Sequence, residues 1–144
     1  MQQHLEELIK EHGVKPTAMR LLVLRCLNDA NETLTLRQIE DRLCDAERST
    51  IFRTLCLFEQ HHLIHSIHDG SGSVRYEMCH TSHNHDGDND RHPHFRCLHC
   101  GRTFCLSECR IPKVELPEGF QAERMDYIIT GRCPSCADSG RHLA

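Results

Sequence analysis

The chain has 144 residues, a formal net charge of −4 and 38% hydrophobic residues, with five Phe, two Tyr and no Trp, enough for one domain with a modest core or for two small lobes assisted by metal. The negative balance excludes a general polyanion binder, whose basic patch would show in the total, so any DNA contact must be local. Ten cysteines behind an opening MQQHLEELIK without an apolar leader point to reduced thiols in a cytoplasmic protein, and no apolar run approaches the roughly 20 residues of a bilayer span.

In chain order, Leu5, Leu8 and Ile9 fall at helical spacing and stop at Gly13, which predicts a short amphipathic helix over residues 4 to 12 with a glycine cap. A second helix starts near Thr17, after Pro16, and turns Val23, Leu24 and Leu27 inward. A third opens at Thr35, whose spacing to Gln38 is that of a capping box, with Leu36, Ile39 and Leu43 inward. In "RSTIFRTLCLFEQHHL" the residues Ile51, Leu55 and Phe58 form one stripe, while Ser49, Thr50, Phe52 and Arg53 lie on another face. "LIHSIH" and "VRYEM" then alternate as two strands about the hairpin "DGSGS". Helices followed by a two-stranded wing predict a winged helix-turn-helix over residues 1–78, whose last helix enters the major groove. In that role Arg53 pairs with phosphate or a guanine edge, Ser49 and Thr50 bond phosphate, and Phe52 touches thymine methyls; on a lone helix the same residues would be only a solvated face.

Residues 79–94 form a His-rich hinge and insertion in which "HTSHNHDGDND" replaces every apolar residue, and His80, His83 and His85 read as loop residues rather than a further site. From residue 95 to 144 a second, small α+β unit begins with "HFRCLHCGRTFCL", a hairpin around Gly101, passes through the proline-broken "IPKVELPEGF" and closes with "YIITGRC" as a strand. The overall class is therefore α+β. Cys26, Cys44 and Cys56 lie on helices and read as small buried hydrophobes, and His61 and His62 as caps at the negative end of their helix.

Cys97, Cys100, Cys133 and Cys136 form two C-x-x-C knuckles, each at the end of a strand, with Gly101 after one and Gly131 before the other. Four converging thiolates make the closed shell of a structural zinc, one ion per chain, whereas two redox pairs would need a thioredoxin-like context that is missing. His92 and His94 flank Pro93 just outside that complete shell and need another centre. Cys79 ends the second wing strand, Glu77 two residues earlier shares its face, and His65 sits on the partner strand. His65, Glu77, Cys79, His92 and His94 are thus the candidates for that second centre. Cys105 and Cys109 are by default ordinary thiols, with auxiliary ligation or redox sensing as the alternative.

The stretches "GVKPTAMRLLVLRCL", "STIFRTLCLFEQHHLI", "VRYEMC", "HPHFRCLHCG" and "GRCPSC" resemble the ferric uptake regulator family of metal-responsive repressors over nearly the whole chain, and most of all its zinc uptake branch. The resemblance implies that Cys79 is that branch's cysteine before the histidine motif, His65 its wing ligand, and His92 and His94 its paired histidines. The three imidazoles and one thiolate of His65, Cys79, His92 and His94 suit a regulatory Zn2+; Glu77 and Cys105 are alternative ligands, and Glu77 would favour Fe2+ or Mn2+. It also implies a C-terminal dimerisation domain, a homodimer on a palindromic double-stranded operator, and repression of zinc uptake genes; iron or peroxide sensing is the alternative. The chain departs from the family at Thr33, where the iron-sensing branch has a histidine; at Cys105, where the peroxide-sensing branch has an aspartate; and near Met125, where a further family site has a histidine. Phe52 replaces the usual tyrosine. A zinc enzyme is not expected, since neither H-E-x-x-H nor H-x-E with P-C-x-x-C occurs, and neither is a small-molecule substrate or a membrane partner. The remaining alternative of another class is a zinc-ribbon protein-interaction module.

Overall fold

A computed structural model describes residues 2–30, 32–78, 93–106, 108–123 and 125–141. The chain divides into two compact units, Met1–Ser82 and His83–Ala144.

The first unit runs α1 (Gln2–Glu11), α2 (Ala18–Asp29), β1 (Leu34–Thr35), α3 (Leu36–Arg42), α4 (Arg48–Gln60), β2 (Ile64–His68) and β3 (Val74–Met78). Helix α1 stops because Gly13 takes the left-handed conformation at φ 77. That turn lets Gly13 N–H donate to Lys10 O at 3.0 Å and Val14 N–H to Ile9 O at 3.1 Å, the paired bonds of a Schellman end. The same pair closes α4, with His62 N–H to Glu59 O at 3.1 Å and Leu63 N–H to Phe58 O at 2.9 Å, and here a non-glycine, His62, occupies the left-handed position at φ 60. His61 is the C-cap of α4, yet its ring does not serve α4: Nδ1–H donates to His12 O at 2.9 Å, satisfying a carbonyl at the end of α1.

Helix α2 is capped by Thr17, whose side chain accepts from Arg20 N–H, and α3 by the reciprocal Thr35–Gln38 capping box. The predicted inward residues Val23, Leu24, Leu27, Ile39, Ile51, Leu55 and Phe58 are all buried and belong to one core with Leu34, Ile64 and Tyr76. Leu36 and Leu43 pack only partly buried against it.

The sequence suggested a two-stranded wing, but the sheet has three strands in the order β1-β3-β2, all antiparallel neighbours. The added strand, two residues long, places Leu34 opposite Tyr76. Asp69 fastens the hairpin tip from beneath: its Oδ1 accepts from Ser71 N–H at 2.9 Å and its Oδ2 meets Arg75 Nε at 2.9 Å.

The second unit contains β4 (His94–Cys97), β5 (Thr103–Cys105), β6 (Ile128–Gly131) and α5 (Pro134–Arg141). Its sheet has the order β5-β4-β6, with the expected β4–β5 hairpin antiparallel and β6 parallel to β4. Gly101 at φ 75 makes the hairpin turn. Gly131 is needed for closeness instead, since a Cβ there would lie 3.2 Å from Phe95 Cζ. Helix α5, starting with proline at its first position, was not anticipated from the sequence. Among the described residues no helix is long and apolar enough to cross a membrane.

Candidate metal centres and nucleic-acid interface

The two C-x-x-C pairs converge within the second unit. Parallel pairing of β4 with β6 sets Cys97 beside Gly131, and the chain then turns into α5 through Cys133, whose carbonyl accepts from Ala137 N–H at 2.8 Å. The Sγ atoms of Cys97, Cys100, Cys133 and Cys136 all lie within 4.8 Å of one another, and Cys100 Sγ is 3.8 Å from Cys133 Sγ. Bonds of about 2.3 Å from a tetrahedral centre place neighbouring sulfurs about 3.8 Å apart, so this donor set is of the size a zinc ion requires.

The protein polarises these sulfurs unequally. Backbone N–H groups of Cys100 and Cys133 point at Cys97 Sγ from 3.5 and 3.4 Å, and they hold the Cys97 thiol down at about 5. Cys100 is lowered as well, first by the backbone N–H of Arg102. Cys136 is pushed up to about 12, first by its hydrogen bond with Cys133 and then by burial. A cluster with one stabilised thiolate and a proton kept on its neighbour takes up a thiophilic cation by releasing that proton.

The other proposed ligands are contributed by both units. In the first unit His65 and Glu77 are opposite one another across β2 and β3, with His65 Nε2 2.5 Å from Glu77 Oε1 and the carboxylate nearly buried. In the second unit His94 is buried at the start of β4 and opposite Cys105 on β5. Leu106 N–H donates to Pro93 O at 2.9 Å, which makes His94–Cys105 a non-hydrogen-bonded pair, the kind whose side chains stand closest. Cys79 and His92 lie outside the described residues, as do His80, His83 and His85.

Thr33 is buried, with 1% exposure, immediately before β1. The nine described cysteines are all free thiols. Cys44 departs from its expected burial: it is exposed past the end of α3, its Sγ donating to Asp41 O at 3.2 Å. Cys26 and Cys56 are partly buried and Cys109 is exposed.

On α4 the stripe and the working face separate as the periodicity implied. Ile51, Leu55 and Phe58 have no exposure, whereas Phe52 is 46% exposed and Ser49 and Arg53 are exposed beside a half-buried Thr50. Thr54, which the sequence reading did not single out, is buried and donates to Thr50 O at 2.9 Å.

A family model described as the ferric uptake regulator family matches residues 11–126. The chain belongs to that family. It is 27% identical over 145 residues to the ferric uptake regulation protein of Neisseria meningitidis, covering 92% of this chain and 93% of that protein. It is 24% identical over 135 residues to the ferric uptake regulation protein of Campylobacter jejuni, covering 90% of this chain and 79% of that one. In fold it is similar to a zinc uptake regulator solved in complex with zinc and DNA, with a TM-score of 0.68 at 18% identity over 97% of this chain and 95% of that one. This member of the ferric uptake regulator family therefore combines a DNA-binding winged helix with a unit that carries a four-cysteine cluster.

Proposed function

We propose that this metal-responsive transcriptional regulator senses zinc and represses zinc uptake genes as a homodimer on a palindromic operator. Its regulatory ligands are His65, Cys79, His92 and His94, and a separate structural zinc is held by Cys97, Cys100, Cys133 and Cys136. The observation that carries the zinc reading is the donor chemistry around β3: a histidine on the partner strand and, two residues beyond Glu77, a thiolate donor in Cys79. Two residues is the spacing at which strand side chains share a face. One thiolate with imidazoles is a set that zinc prefers and that oxygen-seeking iron or manganese does not. Thr33, where the iron-sensing branch has a histidine, brings no imidazole.

Bound there, the ion supplies one Lewis-acid centre for four donors. His65 and Cys79 belong to the wing and its end, His92 and His94 to the start of the second unit, so the four donors are satisfied together only in the conformation that unites them. Moving such an equilibrium from 1:99 to 99:1 takes about 5.5 kcal/mol, and zinc sites with thiolate ligands provide about 10 kcal/mol or more. Ser49, Thr50, Phe52 and Arg53 on α4 face the duplex. The exposed apolar side chains Val114, Leu116, Phe120 and Ile129 of the second unit support pairing of two chains there.

A second reading, sensing of iron, manganese or peroxide, is favoured by one specific observation: the Glu77 carboxylate already lies against His65 and would supply an oxygen ligand. The Cys79→Ser variant separates the two. It abolishes zinc-dependent operator binding, measured by fluorescence anisotropy, and leaves the dimer intact in sedimentation; normal zinc dependence in that variant sinks the ligand assignment.

A further inference from the structure

With the two knuckles set aside, the most closely spaced cysteines of the chain are Cys105 and Cys109, in the stretch "CLSEC". Both belong to the second unit. Cys105, the last residue of β5, is partly buried, Cys109 is exposed, and neither is in a disulfide. A reverse turn connects them, closed by Cys109 N–H donating to Leu106 O at 3.0 Å. Such a turn keeps its two ends within about 7 Å of each other, and Cys105 immediately precedes one of those ends. A disulfide asks for Cα atoms about 4.4–6.8 Å apart. From residue 110 to residue 117 the chain is in no helix or strand. No ladder therefore anchors the Cys109 end, and it is the side that moves.

Cys105 also has a neighbour that matters. It stands opposite His94 in a non-hydrogen-bonded pair, and the residue after it, Leu106, bonds the carbonyl of Pro93, the residue before His94. The end of β5 thus sets where the His94 imidazole stands. Drawing the Cys105 sulfur toward Cys109 pulls on both links at once.

We propose that Cys105 and Cys109 are a peroxide-responsive pair whose disulfide withdraws His94 from the regulatory metal. The inference rests on reading His94 as a regulatory ligand and adds a second input to that site. Cys109, as its thiolate, attacks one oxygen of a hydroperoxide; the O–O bond breaks, the other oxygen leaves, protonated, as water or an alcohol, and Cys109 becomes a sulfenic acid. The Cys105 sulfur then attacks the Cys109 sulfur, the S–O bond breaks, and the hydroxide leaves as water with the Cys105 proton. The two thiols lose two electrons and the peroxide gains them. A second thiol one turn away captures the sulfenic acid before it oxidises further, and a dithiol reductant reverses the bond.

The test uses full-length zinc-loaded protein, hydrogen peroxide as the oxidant and a duplex enriched from a random pool by the reduced wild type. Tryptic cleavage after Arg102 and Arg110 isolates TFCLSECR, which holds both thiols and no other cysteine. The disulfide then reads as a loss of about 2 Da in one peptide that also resists alkylation. The proposal expects that peptide to convert while the knuckle cysteines stay reduced, zinc-dependent operator binding to be lost in step, and both changes to reverse with dithiothreitol. Cys109→Ser should bind the operator normally with zinc and keep that binding in peroxide. A peptide that is still a dithiol when operator binding is lost overturns the proposal. So does a disulfide that forms with operator affinity unchanged, or a Cys109→Ser variant as peroxide-sensitive as the wild type. Reduced wild-type protein that binds no operator with zinc would instead overturn the zinc-sensing reading, and the peptide mass would still decide whether the pair closes.

Discussion

Cys97, with two backbone N–H groups aimed at its sulfur, is a thiolate at neutral pH, whereas Cys26 is pushed up chiefly by burial and Cys44 stands exposed in a turn. Three cysteines thus have three chemistries. Alkylation of the zinc-loaded protein with iodoacetamide at neutral pH should label Cys44 several-fold faster than Cys26, since only an accessible thiolate attacks. Peptide mass spectrometry reads this directly, and equal rates would contradict the burial described. At Cys97 serine substitution removes the best-prepared ligand, so Cys97→Ser should lose the proposed structural zinc and unfold or dissociate the second unit, seen as metal loss and altered sedimentation. Individual residues were unevenly legible. Thr17 and Thr35 announced their caps because a cap is a local pattern of three or four positions, and the knuckles announced themselves by spacing. Cys44 did not, because α3 ends at Arg42, two residues before the position that was expected on a helix.

Helix α4 has one buried and one exposed face, and substitutions on each should report separately. Ile51→Ala empties a site without exposure in the core of the first unit and should cost about 2–5 kcal/mol in urea denaturation. Phe52→Ala, on the opposite and exposed face, should leave stability within about 0.5 kcal/mol and weaken operator binding. Thr35→Ala removes the hydroxyl that accepts from Gln38 N–H, one half of a capping box, and should cost about 1 kcal/mol. Long amphipathic elements were readable from their period, but β1 and α5 were not. Two residues carry no periodicity, and Leu34–Thr35 became a strand only because Tyr76 and Arg75 arrive from far along the chain to pair with them. In α5 the composition PSCADSGR has no apolar stripe; the helix follows from the knuckle, whose Cys133 carbonyl receives its first turn. The His65–Glu77 contact was legible as far as strand alternation went, and the buried carboxylate beside the imidazole emerged only with the register.

At the scale of the molecule, the proposed function gives the cysteine and histidine ligands two tasks. The four-sulfur cluster is complete within one unit, so stripping it with a strong chelator should lower the melting temperature and abolish dimerisation, and restoring zinc should reverse both. The proposed regulatory set instead takes its donors from both units, so removing that weaker ion should release DNA and leave the fold intact. The decisive measurement is metal content and operator affinity determined together, with zinc, iron and manganese each buffered at known free concentration. The account predicts that filling the second site with zinc, at free concentrations that leave the iron and manganese samples unfilled, brings tight operator binding, and that Cys79→Ser removes the response. Tight binding with the second site empty, or a response to iron that survives Cys79→Ser and is lost in Glu77→Gln, would contradict it.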